Sequence, residues 1–206
     1  MLEPRQEGAI ALPAAQWAAL EAAYSAPPRA YHGWPHVKAV LQHYDEVATG
    51  PGWERPVEAW LAVLYHDAVH EAGRADNESR SAKLARTHLA QWLPDAGIDV
   101  ERVASLILLT ARHGELAADQ VDRDAALFLD CDMAILGAPP AAFDAYDRGI
   151  AAEYRGKVPG WLFRLNRRRF LKGLLARERI FLSDFFHARL DAQARINLRR
   201  AVTHKQ

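Results

Sequence analysis

The chain is poor in cysteine, in methionine and in long apolar runs. Its 206 residues include one cysteine, Cys131, and two methionines. A single cysteine excludes an internal disulfide framework and a zinc site built on several thiolates. The apolar stretch at residues 103–111 is interrupted by Ser105 and Thr110 and falls far short of the roughly 20 residues that a membrane span requires. We therefore expect no membrane contact, and any metal ion must be held by histidines and carboxylates.

The N-terminal residues 1–7 are polar and include two glutamates, whereas a secretory signal begins with basic residues and continues with apolar ones. A cytoplasmic protein is the expectation. Half of the residues are apolar and a quarter are charged, which suffices for one compact domain of this length. We therefore predict a single domain over residues 1–206.

The zero net charge hides an asymmetry along the chain. Residues 1–156 contain 13 basic and 23 acidic side chains, and residues 157–206 contain 13 basic and 3 acidic ones. Such a basic segment is typical either of solvated helix faces or of a surface for phosphorylated ligands. Overall neutrality argues against strong non-specific nucleic-acid binding, which depends on many phosphate contacts, and nucleic acid is therefore not the expected partner.

Proline and glycine divide the sequence into segments of about 12 to 20 residues with few alternating β-branched runs, which predicts an all-α fold. Pro35, Pro56 and Pro139 are placed at the first helical position, where the missing amide costs nothing. Repeats and flexible linkers are absent from the sequence. The predicted helices are 13–24, 35–48, 56–70, 77–93, 100–113, 122–136, 139–154, 160–177 and 183–204.

Several of the nine histidines fall at the ends of these helices. His32 and His36 open one helix, the His66-Asp67 doublet follows the apolar run 59–65, and His113 ends another helix. Two carboxylates, Asp130 and Asp132, lie in an apolar stretch. A carboxylate is costly to bury without a partner. We expect a metal site to collect some of these groups, since His66 and Asp67 can both reach an ion beyond the end of their helix.

These elements resemble the HD-domain metal-dependent phosphohydrolases, whose signature is a histidine, a His-Asp doublet and a distant aspartate. The resemblance is greatest to an uncharacterised bacterial subgroup of predicted phosphohydrolases, and it covers about residues 29 to 200. Its motifs are Tyr-His-x-x-x-His at 31–36, Tyr-His-Asp at 65–67, Asn-Glu-x-x-Ser-Ala at 77–82, Asp-Cys-Asp at 130–132, Glu-Tyr at 153–154 and Ala-Arg-x-Asn-Leu at 194–198. We expect the last of these motifs to dock the final helix.

The resemblance implies a single-domain HD-type helical bundle with a metal-binding core over about 29–137 and a helical extension over about 138–206. It implies metal ligation by His36, His66, Asp67 and Asp132. Asp130 is the alternative fourth ligand, but the two aspartates point about 200° apart on a helix and cannot share an ion. Asp130 is accordingly expected on the helix surface or behind the ligands.

The resemblance also implies catalytic and substrate-binding residues. Asp67 would bridge metal ions or contact the attacking water, and Glu78 would act as general acid or base. Glu78 would equally favour the positive end of its helix. The substrate-binding candidates are Arg29, Tyr31, His32 and His113, although His113 is also explained by contact with a helix C-terminus.

Two imidazoles and two carboxylates suit Mn, Fe, Ni, Co or Zn ions, and Mg less well. The implied reaction is hydrolysis of a phosphate ester or anhydride of a small compound, with a nucleotide as one option, by metal-activated water. Two alternatives stay open: a metal-binding regulatory module without turnover, and a phosphodiesterase or nuclease that uses the basic C-terminal helices. A homodimer is also an open alternative.

Overall fold

The computed structural model describes residues 9–25 and 29–203, and within these ranges it contains nine α-helices and no β-strand. The all-α prediction is confirmed. Among these residues no single helix is long and apolar enough to cross a bilayer, and the one consecutive pair that passes by length and composition is bent by 104°. The helices are α1 (Ala14–Ser25), α2 (Trp34–Thr49), α3 (Pro56–Tyr65), α4 (Asn77–Trp92), α5 (Val100–Leu109), α6 (Arg123–Met133), α7 (Pro140–Tyr154), α8 (Gly160–Ala176) and α9 (Asp184–Thr203).

Most observed helix ends lie within two residues of the predicted ones, and the three exceptions share a cause. Helices α5 and α6 pass into short 3₁₀ segments, Thr110–Arg112 and Ala134–Gly137. Helix α3 ends at Tyr65 instead of residue 70, so His66 and Asp67 lie in a turn. The apolar pattern predicted a continuing helix, but tighter turns satisfy the last carbonyl groups there. The predicted end of α9 at His204 lies outside the described residues.

Proline begins several helices, although not always at the predicted position. Pro56 occupies the first position of α3 as predicted. Pro35 occupies the second position of α2, and Pro139 precedes the first residue of α7, which is Pro140. All of these positions tolerate proline because their amides have no partner within the helix.

The described residues form two compact units. The first contains residues 9–25, 32–71 and 75–111, and the second contains residues 29–31, 72–74 and 112–203. The sequence predicts one domain with a core over 29–137 and an extension over 138–206, and this division stays a prediction.

The first unit is built around α3. Every residue from Ala59 to Tyr65 is at most 3% exposed, so the helix is buried on all sides after its first turn. It contacts α2, α4 and α5. Two side chains of α1 bind the C-terminal end of α3. The hydroxyl of Tyr24 donates to the carbonyl of Leu64 at 2.9 Å, and Gln16 Nε2 donates to the Tyr65 hydroxyl at 2.9 Å. The residues that follow Tyr65 are therefore fixed in place.

The second unit contains α6 to α9, with the 3₁₀ segment Ala134–Gly137 packed against α7 and α9. Asn197 is fully buried in α9, and its Nδ2 donates to the carbonyls of Leu136 and Ala138 at 2.9 and 2.8 Å. The structural role expected for the Ala-Arg-x-Asn-Leu motif, docking of the last helix, is confirmed. Gly137 lies at the same contact, where a Cβ atom would come within 2.6 Å of Leu190 Cβ and 2.9 Å of its carbonyl oxygen.

This close approach predicts opposite effects for two Gly→Ala substitutions. Gly137→Ala places a methyl group against the backbone of α9, and we expect the free energy of unfolding to fall by about 1–3 kcal/mol. A Cβ atom added to Gly173, in α8, would meet no neighbouring atom within 4 Å. Gly173→Ala should raise the free energy of unfolding by up to about 1 kcal/mol, because alanine favours the helix. Urea denaturation measures both, and changes of the same sign would contradict the packing described.

Candidate metal centre

Three side chains of the first unit converge near the end of α3. His36 is the third residue of α2, and the doublet His66-Asp67 occupies the turn that follows α3. His36 is 5% exposed and His66 is 1% exposed. The turn begins with a hydrogen bond from the amide of Ala68 to the carbonyl of Tyr65 at 3.0 Å. A buried helix thus ends in a turn that presents both residues of the doublet to α2.

The three potential ligand atoms form a nearly equilateral triangle. His36 Nε2 lies 3.0 Å from His66 Nε2 and 3.3 Å from Asp67 Oδ2, and His66 Nε2 lies 3.2 Å from Asp67 Oδ2. We call these three residues the His-His-Asp cluster. An ion placed about 2.1 Å from each atom would see them at angles of about 90 to 105°, between octahedral and tetrahedral values. The spacing therefore fits one face of a transition-metal site with its other positions open.

The protonation of the cluster supports the same conclusion. His66 Nδ1 lies 2.8 Å from the carbonyl oxygen of Val63, which can only accept, so Nδ1 carries the proton. In the neutral ring Nε2 then presents a lone pair to the cluster, as metal-ligating histidines do when a backbone carbonyl orients them. This lone pair faces the imidazole of His36 and the carboxylate of Asp67. Three electron-rich atoms about 3 Å apart repel one another, so a proton or a cation must lie between them.

The electrostatics of Asp67 favour its charged form. Burial alone would raise the pKa of this carboxyl group. When the neighbouring imidazoles carry protons in place of an ion, the charges of His66 and His32 and hydrogen bonds from His36 and His66 outweigh burial and hold the pKa well below its usual range. Asp67 therefore presents an ionised carboxylate within a mostly buried site, and a carboxylate must be ionised to bind a divalent ion.

Two residues at the start of α4 hold the backbone beyond the doublet. Ser81 Oγ accepts from the amide of Val69 at 3.0 Å and donates to its carbonyl at 3.1 Å. Asn77 does the same for Glu71, accepting from its amide and donating to its carbonyl at 3.0 Å each. The sequence motif contains both residues but does not reveal this role. The spacing alone indicates that both could contact the same neighbouring segment, because Asn77 and Ser81 are four residues apart and share one helix face.

A second pair of imidazoles lies beside the cluster. The ring of His32 stacks on that of His70 with centroids 3.9 Å apart, and it contacts His36 edge-on at 5.8 Å. Of the predicted substrate-binding residues, His32 is thus the one that the first unit brings to its candidate site. His70 carries no motif signal in the sequence beyond its position three residues after the doublet.

The second unit contains the other predicted ligand. Asp132 Oδ2 lies 2.8 Å from Nε2 of His113, so two residues selected separately from the sequence form a pair. Asp130 points to different partners: it accepts hydrogen bonds from the amides of Leu182 and Ser183 and from the Ser183 hydroxyl at 2.6–2.8 Å. The assignment of Asp132 as a ligand and of His113 as a substrate contact stays a prediction.

Asp130 does not lie on the helix surface, which was one of its two expected positions, and the other, behind the ligands, stays a prediction. Its exposure is 2%, and burial raises its pKa to about 6 although Ser183, Leu182 and the charge of His113 lower it. The carboxylate is turned inward because it binds the free amides just before α9, as a side chain that caps a helix does.

The remaining candidates are spread over both units. Glu78 is half-buried in the first turn of α4 and is not a member of the His-His-Asp cluster. Tyr31 packs edge-on against Tyr146 at 4.7 Å, and its amide donates to Glu153 Oε1 at 2.7 Å, both within the second unit. Arg29 is half-buried in the same unit. Their roles in catalysis and substrate binding stay predictions.

No protein-family model, curated protein or solved structure matches this chain. The resemblance described above therefore rests on the motifs alone, and the functional proposals depend on the geometry of the side chains.

The His-His-Asp cluster predicts stoichiometric binding of a divalent transition metal. Protein stripped with a chelator and reloaded with Mn²⁺, Co²⁺ or Zn²⁺ should retain at least one ion per chain by elemental analysis. His66→Ala and His36→Ala should each weaken binding by at least about tenfold, because one of three ligands is lost and such sites are sensitive even to changes behind the ligands.

His43→Ala is the matched control, because His43 lies in α2 with His36 but pairs with Glu46 at 3.4 Å and is not part of the cluster. It should bind metal as the unmodified protein does. Equal metal binding by the His36, His66 and His43 variants would refute the candidate centre.

Proposed function

We propose that this protein is a metal-dependent phosphohydrolase that cleaves a phosphate ester or anhydride of a small compound. One observation carries the proposal: His36 Nε2, His66 Nε2 and Asp67 Oδ2 lie 3.0–3.3 Å from one another in a buried site. The motif resemblance supplies the reaction class. The cofactor is a divalent ion, for which the mixed nitrogen and oxygen donors favour Mn, Fe, Co, Ni or Zn over Mg.

Such an ion, when bound, lowers the pKa of a coordinated water and neutralises charge on a phosphoryl oxygen. The side chains around the ion would orient its ligands, the attacking water and the substrate. Val63 fixes His66 in the tautomer that leaves Nε2 available. Asp67 contributes Oδ2 to the cluster and would also contact the attacking water. His32, whose ring contacts that of His36, would donate to a phosphate oxygen.

The proposal includes Asp132 as the fourth ligand and Glu78 as the general acid or base. Asp132 is 14% exposed at its side chain and paired with His113, so its carboxylate is already oriented by a histidine. Orientation of a ligating carboxylate by a neighbouring donor is common in metal sites. Glu78 is half-buried beside Asn77, which binds the backbone that follows the doublet.

Turnover tests the proposal directly. A panel of p-nitrophenyl phosphate, nucleotides and sugar phosphates should show metal-dependent release of phosphate with at least one ion. His66→Ala and Asp67→Asn should lower kcat/KM by at least about 100-fold, since both the ion and the orientation of water are lost. His43→Ala should keep full activity.

Two results would contradict the proposal. Stoichiometric metal binding without turnover of any panel compound would favour a binding or regulatory module. Cleavage confined to oligonucleotides, with affinity that falls steeply with salt, would favour the nuclease alternative. Circular dichroism of each variant establishes that the helical fold is retained.

Asp132 has a test of its own. Asp132→Asn should weaken metal binding by about tenfold or more, because a neutral amide replaces an anionic ligand, while Asp144→Asn, at a carboxylate of the same unit that pairs with Arg200, should not. Unchanged metal affinity and activity in the Asp132 variant would remove it from the ligand set and leave the His-His-Asp cluster intact.

A further inference from the structure

A cavity of about 550 Å³ lies within the second unit, between α7, α8 and the last turn of α9. Its volume is in the range of natural small-molecule sites, which is about 300–1,000 Å³. None of the residues that line it has a role in the proposed hydrolysis. They include Asp147 of α7 and Trp161, Arg164, Leu165, Arg167 and Arg168 of α8.

The charge of this cavity is positive. Helix α8 contains no aspartate or glutamate over its 17 residues. One of the lining arginines is neutralised: Arg167 Nε donates to Asp147 Oδ1 at 3.0 Å, and its Nη2 lies 2.9 Å from the same oxygen. This pair is mostly buried, with Arg167 stacked over the ring of Tyr146 at 4.9 Å. It forms a rigid and nearly neutral wall of the cavity.

Arg164 and Arg168 supply the excess charge. They are exposed and four residues apart, so their side chains share one face of α8. Within residues 9–25 and 29–203 no carboxylate forms an ion pair with either of them. Two guanidinium groups on one helix face, without acidic partners, suit a phosphate or diphosphate, which arginine binds through two parallel hydrogen bonds.

The same cavity also carries exposed apolar surface. Trp161 is 63% exposed and Leu165 is 48% exposed, and both line the cavity one helical turn apart. Four large apolar side chains of the described residues are 39% or more exposed, and two of the four meet here. A flat indole ring beside cationic groups provides a surface on which an aromatic ring stacks.

We propose that this cavity binds a small aromatic phosphate, with Arg164 and Arg168 on the phosphate groups and Trp161 against the ring. A nucleoside diphosphate has this chemistry. The proposal is independent of the hydrolytic function, because it uses neither the His-His-Asp cluster nor a metal ion.

Calorimetric titration in a chelator-containing buffer tests this site without loading the metal centre. ADP is the probe for the complete ligand, pyrophosphate for its charge and adenosine for its ring. We expect ADP to bind more tightly than either fragment. Arg164→Ala and Arg168→Ala should each weaken ADP binding by about tenfold or more, as expected for loss of a charge-assisted hydrogen bond.

Arg169→Ala is the matched control, because Arg169 is exposed on α8 and does not line the cavity. It removes the same charge and should change ADP affinity by less than about twofold, since an exposed charge away from the ligand is screened by solvent. Trp161→Ala should weaken ADP binding and leave pyrophosphate binding unchanged. Since Trp161 is mostly exposed, this variant should keep the stability of the unmodified protein.

Several results would overturn the inference. These are no ADP binding at millimolar concentration, equal losses in the Arg164, Arg168 and Arg169 variants, or tighter binding of dodecyl phosphate than of ADP. His66→Ala separates the two proposals: it should retain ADP binding in chelator even where hydrolysis is lost. Loss of ADP binding in that variant, with Arg164→Ala unaffected, would place the nucleotide at the metal centre and contradict the cavity site.

Discussion

The first unit depends on bringing two imidazole nitrogens and a carboxylate oxygen within about 3 Å of one another away from water. Such an arrangement is unfavourable unless a proton or a cation lies among the three atoms. The rest of the unit resists their separation. Helix α3 is buried on all sides after its first turn, Tyr24 and Gln16 hold its last turn, and the carbonyl of Val63 fixes the tautomer of His66. This combination of rigidity and concentrated lone pairs is the physical basis on which we propose a metal centre.

Support for the centre comes from residues that do no chemistry. Ser81 and Asn77 each bind both backbone groups of a residue beyond the doublet, so the chain cannot relax away from the cluster. The Asn-Glu-x-x-Ser-Ala motif is accounted for by this role more directly than by catalysis at Glu78. In the second unit, Asp130 has a similar function, since it binds the amides before α9 while Asp132, two residues later, faces His113.

The two candidate sites use charge in different ways. The proposed metal centre concentrates electron-rich atoms in a buried place, where a cation would be favoured. The cavity of the second unit places Arg164 and Arg168 beside the exposed ring of Trp161 and so selects an anion with an aromatic part. The charge asymmetry of the sequence thus has a local meaning: much of the basic surplus lies on α8, whose exposed face has no acidic residue.

The sequence by itself determined the all-α class and most helix ends within two residues, because apolar periodicity and the positions of proline are local properties of the chain. It also selected His36, His66 and Asp67, because their motifs resemble those of a known family. Only the tertiary structure decided that α3 stops at Tyr65, that Asp130 is buried, that Asn77 and Ser81 clamp the backbone, and that Arg167 is paired with Asp147. These features depend on groups between 6 and 53 residues apart, and no local pattern records which distant amide or carboxylate a side chain will meet.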